Sequence, residues 1–248
     1  MSRRGAFRAR PFGLLLLRLV GRSRVGADEY CCPIHYNHTE VELWRAVRAV
    51  QPWMMLHQVW NGADIEAKDA DGLTPMAYSA RAGDWGMVRM FMDLNVSMDP
   101  VDNEGQTPLL DVTRRGYLDM ARMLLEEGAN PDARDPKGLT ALWYASSACW
   151  TRLVRVLLDF RAETEARDDR GLGPLALAAL ANRFDVATLL LERGANPSAL
   201  KEIVADPSLR RKRYWWDVST LESLLAVRGF NTMLRLIQTY LNRTLEQR

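Results

Sequence analysis

The residues with the greatest capacity for chemistry near the N-terminus are Cys31, Cys32, His35 and His38. Thiolate and imidazole groups bind Zn²⁺, but structural zinc sites use paired ligands at regular spacings and a second pair that closes the site. These four residues match no standard pairing, and no second cluster follows, so we expect no metal ion here. With only three cysteines in the chain, a disulfide framework is excluded and a reducing compartment is favoured.

Carboxylates recur at a fixed interval of 33 residues and form two series. The first series is Glu66, Asp99, Asp132 and Glu165, and the second is Asp69, Asp102, Asp135 and Asp168. A ladder of carboxylates is one way to bind a hard cation. Basic residues stand two positions after most members of the first series, on the same face of an extended segment: Lys68, Arg134 and Arg167. We therefore expect exposed ion pairs between neighbouring units instead of a metal site.

No arrangement of residues typical of catalysis is present in the sequence. All three histidines, His35, His38 and His57, precede the regular part of the chain. The sequence contains no glycine-rich phosphate loop and no serine, histidine and aspartate combination of the kind that forms a hydrolase site. We therefore expect a protein without enzymatic activity and without a cofactor.

The basic residues are concentrated at two places. Residues 1–27 contain seven arginines and no acidic residue, although the whole chain carries a net charge of only +2. The segment is a poor secretory signal, because Arg18 interrupts the apolar run Leu14–Leu17. A mitochondrial presequence is the second interpretation, and a basic, disordered extension is the favoured one. No apolar run is long enough to span a membrane.

The second basic run, Arg210–Arg213, precedes Tyr214, Trp215 and Trp216. Four consecutive basic residues could act as a nuclear import signal or contact an acidic partner. Aromatic residues beside them could stack on nucleic acid bases, although we do not favour nucleic acid as a partner. The favoured interpretation is a solvated basic run whose aromatic residues pack the segment against the preceding repeat.

The elements that must position these residues follow a 33-residue repeat. Gly72, Gly105, Gly138 and Gly171 mark its period, and similar residues surround each of them: DGLTPMAYSARAG, EGQTPLLDVTRRG, KGLTALWYASSAC and RGLGPLALAALAN. A period of this length indicates one helix-containing unit copied in tandem. Threonine before proline is a typical helix start, and apolar residues three and four apart give each helix one buried face. Such units must stack, because a single helix pair buries too little apolar surface.

The 33-residue unit resembles the ankyrin repeat in four features. They are the glycine of the turn, the Thr-Pro-hydrophobic motif, an apolar second helix and a closing Gly-Ala pair. This resemblance implies an all-α fold, an ankyrin-repeat solenoid of helix-turn-helix units with short β-hairpin loops. It implies a repeat domain at 39–241, followed by a tail at 242–248. The composition of the preceding residues, 1–38, predicts a basic, disordered N-terminal extension. The domain divides into a cap at 39–69, repeats at 70–102, 103–135, 136–168 and 169–200, an insertion at 201–217 and a second cap at 218–241. The predicted helices of the first cap are 40–50 and 52–60.

The resemblance also implies which residues contact a partner. In the family, binding uses the hairpin tips and the exposed side of each first helix, on the concave face. The corresponding tip residues are Asp71, Glu104, Lys137 and Arg170, and the helix residues are Tyr78, Arg81, Asp111, Arg114, Arg115, Trp143, Tyr144 and Leu177. Tyrosine, tryptophan and arginine are the residue types that anchor protein interfaces.

The sequence therefore predicts a non-catalytic module that binds a protein partner on the concave helix face and hairpin tips, in the cytoplasm or nucleus. The alternative is a regulatory or inhibitory subunit in an organelle or nucleus. It would be targeted by the arginine-rich residues 1–27, which suit a mitochondrion, or by Arg210–Arg213.

Overall fold

The helices follow the 33-residue period of the sequence. A computed structural model of the protein describes residues 38–168, 171–197, 232 and 235–240. Its helices are α1 His38–Arg48, α2 Pro52–Trp60, α3 Pro75–Ala82, α4 Trp85–Asp93, α5 Pro108–Arg114, α6 Leu118–Glu126, α7 Ala141–Ser147, α8 Thr151–Asp159, α9 Pro174–Leu180 and α10 Phe184–Glu192. Residues 235–240 are also helical, within the segment predicted to form the second cap.

The chain divides into two compact units, Met1–Ser97 and Met98–Arg248. Helices α1–α4 belong to the first unit and α5–α10 to the second. Several features predicted from the sequence lie outside the described residues: the insertion at 201–217, the run Arg210–Arg213, Arg170, and the cluster Cys31, Cys32 and His35.

The first helix of three repeats begins as the sequence predicts. The hydroxyl oxygens of Thr74, Thr107 and Thr140 accept the backbone N–H three residues further on, at 3.3–3.4 Å. Each hydroxyl thus satisfies one of the free amides at a helix start. Gly173 stands at the same position in the next repeat and makes no side-chain cap.

Large apolar side chains form the core of each unit. In the first unit Leu43, Met55 and Phe91 are fully buried, and in the second Leu142 and Leu157 are fully buried. These residues come from the apolar faces of both helices of a pair. The apolar periodicity of the sequence therefore identifies the core correctly.

The second carboxylate series organises the hairpins. In each hairpin the aspartate Oδ1 accepts backbone N–H groups of the turn, at 2.8–3.0 Å: Asp69, Asp102, Asp135 and Asp168. The aspartate N–H also donates to the carbonyl four residues on, as from Asp102 to Gln106 at 3.1 Å. No β-strand occurs among the described residues, so the predicted β-hairpins are tight turns. Each is closed by two backbone hydrogen bonds, since the turn glycine N–H also donates to the aspartate carbonyl, as from Gly105 to Asp102 at 3.0 Å.

The first carboxylate series joins consecutive repeats. Each of its members accepts the backbone N–H of the residue 31 positions later, at 2.6–3.1 Å: Glu66 from Ser97, Asp99 from Asn130, Asp132 from Glu163, and Glu165 from Asn196. The spacing of these carboxylates predicts ion pairs but does not reveal their hydrogen bonds to the backbone of the next repeat. Ion pairs also link consecutive repeats, since Arg134 lies 2.9 Å from Glu163 and Arg193 lies 2.7 Å from Asp159.

The turn between the two helices of a pair requires a positive φ angle. Glycine occupies it in two repeats, but Val50, Cys149 and Asn182 occupy it in three others, at φ 52°, 60° and 54°. Val50 was predicted to end the first helix, which instead ends at Arg48. A β-branched residue is strained at positive φ, because its Cβ crowds the neighbouring carbonyl.

Replacing Val50 by glycine is expected to raise the free energy of unfolding by about 0.5–1 kcal/mol. Relief of about 1–2 kcal/mol of backbone strain is partly offset by the entropy that glycine loses on folding. Val41 provides the control, since it is equally exposed (57% against 55% for Val50) but lies inside α1. Val41→Gly should lower stability in urea denaturation, and a loss of stability in both variants would contradict the strain at Val50.

Candidate protein-binding site

The hairpin tips present the predicted charged residues to solvent. Asp71 in the first unit, and Glu104 and Lys137 in the second, are exposed. Neighbouring tips of the second unit touch, because a Cβ added to Gly105 would lie 2.6 Å from Cγ of Pro136. The tips of the second unit are therefore held in place against each other, with their charged side chains outward.

The first-helix positions of the second unit differ in exposure. Arg114 and Arg115 are exposed, while Trp143, Tyr144 and Leu177 are half-buried. The prediction that Asp111 is exposed is wrong, because only 7% of its surface is accessible. The sequence offset places Asp111 in register with Tyr144, but the shorter aspartate side chain does not reach the surface as the tyrosine does.

Tyr144 contacts three neighbouring side chains of this surface. Its hydroxyl donates a hydrogen bond to Oδ2 of Asp135 at 2.7 Å. Its ring packs edge-on against Trp143, with centroids 5.4 Å apart, and the guanidinium carbon of Arg114 lies 5.5 Å from its centroid. The second distance is within the range of a cation–π contact. Adjacent repeats thus share one cluster of arginine and aromatic side chains, which we call the Tyr144 cluster (Arg114, Asp135, Trp143 and Tyr144).

The environment of Tyr144 keeps its hydroxyl protonated. Desolvation by burial raises the pKa of Tyr144 to about 12, and the hydrogen bond and negative charge of Asp135 act in the same direction. The charge of Arg114 opposes them. The phenol therefore stays protonated, and able to donate to Asp135, to a higher pH than an ordinary tyrosine.

Asp135 connects the helix surface with the hairpin tip. While its Oδ2 holds Tyr144, its Oδ1 accepts the N–H groups of Lys137 and Leu139, both at 2.9 Å. One carboxylate therefore fixes the positions of the tip and of Tyr144 together. The indole Nε1 of Trp143 is buried without a hydrogen-bond partner, and nothing in the described residues explains it.

The first unit contains a groove that sequence reasoning missed. It has a volume of about 710 Å³ and lies between α1 and the first hairpin, with Trp44, Arg45, Arg48, Lys68 and Asp69 among its lining residues. The guanidinium carbon of Arg48 is 5.6 Å from the ring centroid of Trp44. The 33-residue offset would have revealed two of these residues, because Arg45 and Arg48 are in register with Tyr78 and Arg81.

Tyr78, one of the two predicted site residues on α3, lies beside this groove. Tyr78 and Arg81 are both half-buried. The ring of Tyr78 packs edge-on against Trp44, with centroids 5.9 Å apart. Trp44 therefore links the predicted residue Tyr78 to the arginine that sequence reasoning missed.

The described residues contain no group of three or more histidine, cysteine, aspartate or glutamate side chains that could hold a metal ion. None of the helices described is both long and apolar enough to cross a membrane.

Stacked helix pairs, aspartate-ordered hairpins and glycine-marked turns define a tandem helical repeat protein. The family model described as ankyrin repeats (3 copies) matches residues 43–135 and 127–201, which is more than half of the chain. The chain belongs to the ankyrin-repeat family, as its sequence motifs predict. A comparison with curated proteins returns no match. Ankyrin repeats generally mediate protein–protein interactions.

Proposed function

We propose that this protein is a non-catalytic module that binds a protein partner through the concave helix face and hairpin tips of its second unit. The Tyr144 cluster is the observation that carries the proposal. Arginine and large aromatic residues are the commonest anchors of protein interfaces, and here they lie together, partly exposed. Their rigidity lowers the entropy lost on binding.

The chemistry of the surface indicates what kind of contact a partner makes. Arg114 and Arg115 are exposed and positively charged, and Lys137 adds a third charge at the hairpin tip. Leu177 and the rings of Trp143 and Tyr144 offer apolar surface beside them. A partner segment that combines acidic side chains with an apolar one would be complementary to this arrangement.

The proposal is tested by affinity capture with the full-length chain and quantitative mass spectrometry. Arg114→Ala and Tyr144→Ala should each reduce the recovery of a common set of partners by about 10-fold or more, the loss expected for an anchor residue. Arg122→Ala is the matched control, because Arg122 is exposed on α6, the second helix of the repeat that contains Arg114. An unchanged set of partners for both cluster variants would contradict the proposal.

Tyr144→Phe separates the ring from the hydroxyl. It keeps the aromatic surface but loses the hydrogen bond to Asp135, so we expect a smaller loss of recovery than with alanine. Circular dichroism of each variant verifies that the helices remain folded, so that a loss of binding reports on the surface itself.

The compartment in which binding takes place is also a proposal. The low number of cysteines supports the cytoplasm or nucleus. The arginine-rich composition of residues 1–27 supports the alternative, a regulatory subunit in the mitochondrion.

A further inference from the structure

The outer face of α2 is apolar and exposed. Trp53 is 70% accessible, Trp60 63% and Met54 48%. Trp53, His57 and Trp60 are spaced by four and three residues, so they share one side of the helix. We call Trp53, Met54, His57 and Trp60 the α2 face. Two tryptophans at this level of exposure on one short helix are unusual for a surface in contact with water alone.

Two of these positions, those of Met54 and Trp60, are buried or acidic in every other described repeat. The residues in register with Met54 are 0–2% accessible: Met87, Met120, Leu153 and Val186. Those in register with Trp60 are exposed carboxylates: Asp93, Glu126, Asp159 and Glu192. The α2 face is therefore not a general property of the repeat. It belongs to the first repeat, which no other described repeat precedes.

A terminal repeat normally has a polar outer face, since one of its sides meets solvent. The first repeat of this protein has the opposite composition at Met54 and Trp60. A buried tryptophan removes about 150–250 Å² of surface from water, so covering this face would be strongly favourable.

We propose that residues 12–20 of the chain's own N-terminal segment cover the α2 face. This segment, FGLLLLRLV, contributes Phe12, five leucines and Val20. It lies outside the described residues, which begin at His38. The 17 residues between Val20 and His38 span up to about 60 Å when extended, whereas α2 is only about 14 Å long. The segment therefore reaches the face with ample length to spare.

The charges of the two parts are complementary. Residues 1–27 carry seven arginines and no acid, while the described part of the first unit, 38–97, contains eight acidic and five basic residues. Four of these acids are exposed: Asp64, Glu66, Asp71 and Asp93. Attachment to the same chain also gives the segment an effective concentration of about millimolar, which a second copy or another protein rarely reaches. This inference does not depend on the partner-binding role of the second unit.

The α2 face can be examined by hydroxyl-radical footprinting of the full-length protein. Oxidation of Trp53, Met54 and Trp60 is followed by mass spectrometry, with Phe184 of the second unit as an internal reference of known exposure (42%). In the variant Leu15→Asp/Leu16→Asp, oxidation of the α2 face is expected to rise at least about 3-fold relative to the unaltered protein, because apolar contact is lost. The rate at Phe184 should not change.

A matched control adds the same two charges without removing apolar residues. Ser2→Asp/Ser23→Asp introduces two carboxylates into the N-terminal segment and should leave oxidation of Trp53 and Trp60 unchanged. Equal rates in the unaltered protein and in Leu15→Asp/Leu16→Asp would overturn the proposal. So would a rise of the same size in the control, which would indicate a charge effect.

Two further measurements distinguish other occupants of the face. Light scattering is expected to give the mass of a monomer. A dimer whose dilution exposes Trp53 would show that a second copy covers the face, and would overturn the proposal. Protection of Trp53 only upon addition of vesicles containing phosphatidylserine would assign the face to a membrane surface and would overturn it equally.

Discussion

Replacing Asp135 by alanine is expected to lower the free energy of unfolding by about 2–4 kcal/mol. Asp135 is only 7% accessible and accepts three hydrogen bonds, from the N–H groups of Lys137 and Leu139 and from the hydroxyl of Tyr144. Its removal leaves donors without partners, and each unsatisfied buried donor costs about 1–3 kcal/mol. Urea denaturation measures the effect.

Two control variants show whether this loss comes from the hydrogen bonds. Asp135→Asn keeps an oxygen that can accept the two backbone amides and should cost only about 1 kcal/mol. Asp132→Ala removes one carboxylate acceptor, that of the Glu163 N–H, and should also cost about 1 kcal/mol. If Asp135→Ala is no more destabilising than Asp132→Ala, the role assigned to Asp135 is wrong.

Replacing Gly105 by alanine is expected to destabilise the protein by about 2–4 kcal/mol. Gly105 has φ +74°, where a Cβ costs about 1–2 kcal/mol. The added Cβ would also meet Cγ and Cδ of Pro136 at 2.6 and 2.7 Å, so the two hairpin tips would have to separate. Such overpacking adds about 1–3 kcal/mol, and thermal or urea denaturation would detect it.

Gly171 provides a matched control for the steric part of this effect. It has nearly the same φ, +77°, but a Cβ added there would meet nothing within 4 Å. Gly171→Ala should therefore show the backbone cost alone. Pro136→Ala in the Gly105→Ala background should recover part of the lost stability, and a failure to recover any would argue against contact between the tips.

The regular part of the fold could be predicted from the sequence because each rule acts within a few residues. Thr74 caps its helix through an amide three positions away, and the apolar spacing of α6 selects its buried face without help from distant residues. Periodicity extends these local rules along the chain. The same reasoning failed at Val50, where an ordinary helix-compatible side chain occupies the turn position, although its 33-residue offset from Gly83 would have revealed it.

The contacts of polar side chains could be predicted far less well. The series that includes Glu66 and Asp132 was recognised by its spacing, but spacing cannot distinguish a basic side chain from a backbone amide as partner. The family offset placed Asp111 and Tyr144 at equivalent positions, yet one is buried and the other half-exposed. Side-chain length and the neighbours in three dimensions decide these outcomes.

The carboxylates that link one repeat to the next leave the chain free to vary during evolution. Asp99 and Asp132 bind a main-chain N–H of the following repeat, and every residue except proline has one. The contact therefore places almost no demand on the side chain that follows. A repeat can be duplicated, exchanged or altered on its outer surface while its attachment to the preceding repeat is preserved, so that new surfaces can arise without a matching change in the neighbour.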